Sequence, residues 1–355
     1  MDSIELLKEL TEADGLPGYE GEIREIFKRH LHPLATIESD RLGSVIASKE
    51  GTTKKPKIML AGHMDEIGFM VKLITEEGYI KFSPLGGWWS QTLLSQRVKI
   101  KTTDGPVMGM IGSKAPHIME EEESKKIVKM KDMFIDIGAS DREEAESFGV
   151  RPGDPIFPCS EFTVLSNENL LMSKAWDDRV GCALVIDLIK KLEGVEHPNT
   201  VYGVGTVQEE VGLRGAKTSA SQIDPDLGIA LDVCIAGDVP GVKDTDAMSA
   251  VGDGPAILLY DSSLIPNLQL RDLVVDVAKE NEIPYQFDLI ERGGTDAGRI
   301  HLNEAGVPSI VISIPTRYIH SHNGILSIED YNHTLNLLYN LIMSLDYDTV
   351  NSLVD

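Results

Sequence analysis

The sequence predicts an α/β fold, a mixed but mainly parallel sheet flanked by helices and interrupted by a small β-rich module. Three observations predict it. Compact apolar runs recur at 57–62, 201–207, 228–231 and 309–315, and each ends within a few residues in a polar side chain, the pattern of buried parallel strands. Stretches with apolar residues at helical spacing, such as 180–192 and 266–281, stand between or beside them. From about Gly68 to Phe162 the texture changes to short β-rich segments separated by glycine turns, as expected of a module inserted into an α/β host.

Along the chain, residues 2 to 12 and 20 to 32 carry Ile, Leu and Phe at helical spacing, with Gly15 to Gly18 around Pro17 as the break. Short strands are expected near 36 to 48, then the run Lys57-Ile-Met-Leu-Ala-Gly-His63. Within the insert, 69–74, 79–82, 97–101 and 107–111 read as strands, 149–154 as a turn, and the Glu120 to Glu123 run with Lys125 and Lys126 as a solvated, mobile loop. The α/β pattern resumes at Ala175. A helix is expected over 180–192, strands at 201–207 and 228–232, a helix over 266–281, strands at 285–290 and 309–315, and a closing amphipathic helix over 328–345. The expected domains are therefore an α/β part, 1–67 with 163–355, and an inserted β-rich part, 68–162.

Composition narrows the function. With 355 residues the chain has ample length for a substantial core, and 33 basic against 57 acidic residues give a formal charge of −24. Such a charge repels phosphate backbones and anionic membranes, so neither nucleic acid nor a membrane is an expected partner. The N-terminal residues lack the basic region and apolar core of a signal peptide, and no apolar run reaches the length of a membrane span, so the expected address is the cytoplasm. Cys159, Cys182 and Cys234 are an odd number at wide spacing and suggest neither a disulfide framework nor a thiolate metal cluster.

The chemistry gathers at the ends of the four apolar runs, which lead to His63 with Asp65, Glu209 with Glu210, Asp232, and His320. Taken singly, each has an ordinary explanation. Glu209 and Glu210 pass as surface acids, and Asp177 with Asp178 pass as the cap and first turn of the helix that follows. In a parallel sheet, however, strand ends share one edge, where ligands bind. Two histidines with several carboxylates and no thiolate suit zinc, cobalt or manganese, and the set is large enough for two ions bridged by a shared carboxylate. The Gly293-Gly-Thr-Asp-Ala-Gly298 segment lacks the lysine and spacing of a phosphate loop. It reads as a tight turn beside the site that lines the pocket for a substrate's first side chain, with Arg292 or Arg299 as a basic wall.

Five motifs in order, Gly62-His-Met-Asp-Glu-Ile-Gly68, Ala175-Trp-Asp-Asp-Arg-Val-Gly181, Val207-Gln-Glu-Glu-Val-Gly-Leu-Arg-Gly215, Leu231-Asp232 and Arg317-Tyr-Ile-His-Ser321, resemble the glutamyl-aminopeptidase and tetrahedral-aminopeptidase family of dinuclear metallopeptidases. Phe134-Ile-Asp-Ile-Gly-Ala139 inside the insert adds to the likeness. The resemblance implies a zinc-peptidase-like fold with an inserted small β-barrel domain for oligomerisation. It also implies two divalent metal ions per chain, zinc before cobalt or manganese. His63 and Asp232 would be terminal ligands of one ion and Glu210 and His320 of the other, with Asp177 bridging. Asp65 would hydrogen-bond His63 and fix its tautomer. Glu209 would be the general base, taking a proton from the attacking water and delivering it to the leaving amine. Further implications are a cis peptide between Asp177 and Asp178, short peptide substrates, and a large homo-oligomer, commonly a tetrahedral dodecamer.

Two positions depart from the family pattern. His322 stands where many relatives have proline and reads as a surface histidine sooner than an extra ligand or a substrate contact, and Trp176 replaces a smaller apolar residue as local packing. Two rival functions differ in class. A glycoside hydrolase would use Glu209 and Glu210 as a carboxylate pair without metal. A non-catalytic assembly protein would keep a closed structural metal and have no use for a spare Glu209.

Overall fold

The computed structural model describes residues 3–243 and 245–354, so Met1, Asp2, Asp244 and Asp355, and with Asp2 the expected start of the first helix, lie outside the described residues. Eight strands form one sheet in the order Thr36–Ser39, Val45–Glu50, Thr200–Thr206, Lys57–His63, Leu227–Ile235, Ser309–Thr316, Ala256–Tyr260 and Gln286–Leu289. The four strands from Thr200–Thr206 to Ser309–Thr316 run parallel. They are buried along nearly their whole length, which is why they read as continuous apolar runs rather than alternating ones.

Both faces of the sheet are covered. Ile58 and Leu60 enter a core with the helices Ser3–Glu12, Gly21–Leu31, Trp176–Lys191 and Ile328–Ser344. Met59 and Ala61, one residue out of phase, enter a second core with Arg214–Ile223 and Ala297–Ile300 on the other face. The sheet is thus the mixed, mainly parallel α/β layer that the apolar runs predict.

Beyond His63 the chain leaves the sheet and closes a six-stranded barrel in the order Gly68–Ile74, Ile80–Leu85, Phe134–Asp136, Gly105–Gly112, Arg97–Thr102, Pro155–Pro158. Its own core includes Phe69, Val98, Ile100, Ile111, Ile135 and Ile156. Closure gives each of these strands a paired neighbour on both sides. The acidic run expected to be a loop carries one turn of helix, Glu121–Ser124, with Glu120, Glu121, Glu122, Lys125 and Lys126 exposed. The chain returns to the α/β part through a three-stranded sheet, Thr163–Val164, Leu170–Ser173 and Gly324–Ser327.

Candidate metal centre

Register decides where the polar residues emerge. Thr206 pairs with His63 and Asp232 with Ser313, so these parallel strands deliver their ends to one edge of the sheet. Close packing then brings a helix against them. A Cβ on Gly62 would lie 2.5 Å from the Gly181 carbonyl carbon and 2.7 Å from the Cys182 nitrogen, so only glycine lets strand and helix meet there. At that contact the buried Asp178 carboxylate accepts hydrogen bonds from the His63 and Gly181 main-chain nitrogens at 2.9 and 3.0 Å. Sequence reasoning treats Asp178 as a helix-capping acid; it also braces the strand end that carries His63. The Asp177–Asp178 peptide is cis.

Asp177 stands between the two histidines. Its Oδ1 lies 2.9 Å from His63 Nε2 and its Oδ2 3.2 Å from His320 Nε2, one oxygen for each ring. Glu209 and Glu210 diverge as adjacent residues at a strand tip should. Glu209 Oε2 is 3.9 Å from His63 Nε2, and Glu210 Oε1 is 3.7 Å from His320 Nε2. Candidate ligand atoms of His63, Asp177 and Glu210 all lie within 4.8 Å of one another, and so do those of His63, Asp178 and Asp232. The structure therefore brings all seven sequence-predicted site residues to one cluster.

The donors fit a divalent cation. Glu210 Oε1 is buried and has no hydrogen-bond partner. Burial, then the Asp177 charge, pushes Glu210 and Asp232 each up to about 8. Burial also lifts Glu209 far above the usual carboxylate range, with Glu210, Asp232 and Asp296 adding to it and His63 opposing. Asp177 is the exception. Burial would raise it, but hydrogen bonds from His320 and His63 outweigh that and hold it well below the usual range. Crowded and buried, these carboxylates hold protons whose place divalent cations could take.

One expectation is met in a particular form and one needs correction. Asp65 hydrogen-bonds His63 as expected, through its main-chain carbonyl, 2.8 Å from Nδ1, while its carboxylate stands 3.8 Å from that nitrogen. That carbonyl still fixes the tautomer, leaving Nε2 turned to Asp177. The Asp65 carboxylate instead accepts from the main-chain nitrogens of Glu209 and Glu210 at 3.0 and 3.1 Å, pinning the turn that carries both acids. His322 is not at the surface. Only 2 % exposed, with both ring nitrogens unpartnered, it packs 5.2 Å from the Trp88 ring. Burial, then the Lys174 charge, pushes its pKa down to about 4, so the ring is neutral. Trp176 does pack locally, and its indole nitrogen donates to the Gly324 carbonyl at 3.1 Å.

A cavity of about 650 Å³ opens onto the cluster, with His63, Asp177, Glu209, Glu210, Asp232 and His320 in its wall. Leu213, Ile235, Ile290 and Arg292 to Thr295 also line it, so the glycine-rich turn does line the space beside the cluster. Arg292 borders the cavity, whereas Arg299 is exposed on the Ala297–Ile300 helix and is not among its lining residues.

Residues 43–337 match the model of the M42 glutamyl aminopeptidase family. The chain belongs to the M42 family. It is a hydrolase of peptide bonds, an aminopeptidase, as its whole-length relatives indicate. It is 37% identical over 345 residues to the lysyl aminopeptidase of Pyrococcus furiosus, covering 96% of this chain and 97% of that one. With the glutamyl aminopeptidase of Lactococcus lactis it shares 35% over 354 residues, covering 99% and 98%. Among solved structures, a TET aminopeptidase from the marine sediment archaeon Thaumarchaeota archaeon SCGC AB-539-E09 is 51% identical with a TM-score of 0.97, covering 99% and 98% of the two chains. The Pyrococcus horikoshii TET1 peptidase, described as assembling into a tetrahedron or a large octahedral shell, is 33% identical with a TM-score of 0.86, covering 97% and 100%. A Thermotoga maritima protein described as an endoglucanase is 31% identical with a TM-score of 0.78, covering 98% and 99%.

Proposed function

We propose that this M42 aminopeptidase works on short peptides with two divalent ions held by the cluster at the sheet edge. His63 and Asp232 would hold one ion, Glu210 and His320 the other, and Asp177 both. The observation that carries the reading is the placement of Asp177, with one carboxylate oxygen toward each histidine. Zinc, cobalt and manganese all suit this donor set, zinc most commonly in a four-coordinate His and carboxylate site. When bound, such ions polarise a carbonyl and make water more acidic.

The protein's own residues supply the rest of the reaction. Glu209 is the general base. Buried beside His63 at 3.9 Å and borne on a turn fixed by Asp65, it faces the cavity and accepts a proton from the attacking water, then returns it to the leaving amine. Deep burial gives it the raised basicity that such a shuttle needs near neutral pH. Asp65 and Asp178 hold the turn and the strand end at a fixed separation. The cavity wall from Leu213 to Thr295 receives the substrate's N-terminal side chain, and Arg292 at its border supplies a positive charge.

The catalytic part would comprise 1–67 and 163–355, with the barrel insert 68–162 serving assembly into a large homo-oligomer, a dodecamer by analogy with tetrahedral relatives. The three cysteines are free thiols, which suits the cytoplasm. Among the described residues, no helix is long and apolar enough to cross a membrane. A glycoside hydrolase reading gives Glu209 and Glu210 work but leaves His63, His320 and the shared Asp177 without any. A closed structural metal site is at odds with the cavity that opens onto these residues.

Glu209→Gln tests the division of labour. Two ions per chain should remain by elemental analysis while kcat for an aminoacyl substrate falls by roughly 10²- to 10⁴-fold, the usual scale for a lost general base. Full activity in that variant would remove Glu209 from the mechanism.

A further inference from the structure

The barrel reaches into the metal cluster, and it does so on one side only. After the Ile80–Leu85 strand its chain runs Gly86-Gly87-Trp88 along Glu210 and His320. Gly86 has φ +81°, and a Cβ there would stand 2.4 Å from Ile67 and 2.9 Å from Glu210 Oε2. The Gly87 carbonyl lies 2.7 Å from His320 Nδ1 and accepts its proton, which leaves Nε2 turned to Asp177. Trp88 anchors the loop. Its indole nitrogen donates to the Gly68 carbonyl at 3.1 Å, its ring stacks on Phe69 at 4.8 Å, and it lies against the buried ring of His322, two residues beyond His320. Among the described residues, the side-chain and strand-end hydrogen bonds of His63 and Asp232 stay within the α/β part.

We propose that Gly86, Gly87, Trp88 and His322 form a positioning element through which the inserted barrel sets the affinity of the ion held by Glu210 and His320, leaving the other ion to the sheet. The inference rests on the two-ion reading above. Its physical basis is that a hydrogen bond to the far nitrogen of a ligating histidine fixes both tautomer and ring orientation, and loss of such support commonly weakens metal binding. Trp88 keeps the Gly87 carbonyl where His320 needs it. His322, buried with neither ring nitrogen hydrogen-bonded, serves as the surface on which the Trp88 ring rests.

Calorimetric titration of the metal-free full-length protein with zinc, alongside its thermal transition, tests this. In Trp88→Ala the second equivalent should bind about 10- to 100-fold more weakly while the first is unchanged. Trp88→Phe, which keeps a stacked ring but drops the bond to Gly68, should give the same selective loss at smaller size. His322→Phe should preserve both affinities, and His322→Ala should weaken the second alone. The thermal transition verifies that each variant is folded. Equal weakening of both equivalents, or no change in either, overturns the inference. A wild-type protein that takes up fewer than two ions per chain removes the two-ion reading itself, and this inference with it.

Discussion

His63 and Asp232 stand on central strands of the sheet, whereas Glu210 and His320 stand on loops beyond strand ends. The first pair is 2 % and 8 % exposed. In the second pair the Glu210 side chain is 5 % exposed but that of His320 is 37 % exposed. His63 is held by Asp65, Asp178 and a strand buried on both faces; His320 leans on a carbonyl contributed by the barrel. One half of the centre inherits its geometry from the sheet, and the other borrows it from the insert. A ligand on a buried parallel strand cannot move without disturbing the core, while a ligand on a loop keeps its place only as long as its contacts do.

The largest expected effect separates these halves by stability. His63→Ala removes the buried partner of Asp177 and should destabilise the metal-free protein by ~3–5 kcal/mol, the scale for breaking a buried ionic pair. His320→Ala, at a partly exposed position, should cost about 1 kcal/mol or less. Each should reduce metal content from two ions per chain to about one. Urea denaturation of the metal-free variants reads the first difference and elemental analysis the second; equal destabilisation would erase the contrast.

A smaller effect concerns pH. In the metal-free protein Glu210 and Asp232 keep their protons up to about 8, chiefly because burial penalises their charge. The unfolded chain releases the same protons near ~4, so across the window between, the folded state binds more protons and its stability falls as pH rises. His320 acts in the same sense. Burial would lower its pKa, but the Asp177 hydrogen bond and the Glu210 charge outweigh that and raise it to about 10, so its contribution is lost as pH climbs above the ordinary histidine range. In the proposed function, divalent ions would take the place of those protons. The Tm of the metal-free protein should therefore drop between about pH 5 and 8, and saturating zinc should flatten the slope. Identical slopes with and without zinc would mean that these carboxylates are not the ones whose protons the ion displaces.

Much of this was legible in the sequence because parallel strands buried on both faces announce themselves as apolar runs, and their polar terminal residues mark the sheet edge. The runs ending at His63 and Asp232 are of this kind. Less legible was whatever depends on contacts across the fold. Asp65 is recognisable beside His63, but only the folded turn reveals that its carbonyl holds the ring while its carboxylate holds Glu209 and Glu210. His322 follows a polar segment and reads as exposed, yet Trp88, distant in sequence, buries it. The strand Ala256–Tyr260 is hard to read from sequence because the apolar run is short and sits between glycine-rich and serine-rich turns. The helix Arg214–Ile223 is so because small and polar residues, Gly215, Ala216, Ser219 and Ala220, form most of its buried face.

The most direct test of the two-ion centre is anomalous diffraction from crystals of the zinc-loaded protein. Two peaks per chain are expected, one beside His63 and Asp232, the other beside Glu210 and His320, with Asp177 between them. A single peak, or peaks away from these five side chains, would contradict the account.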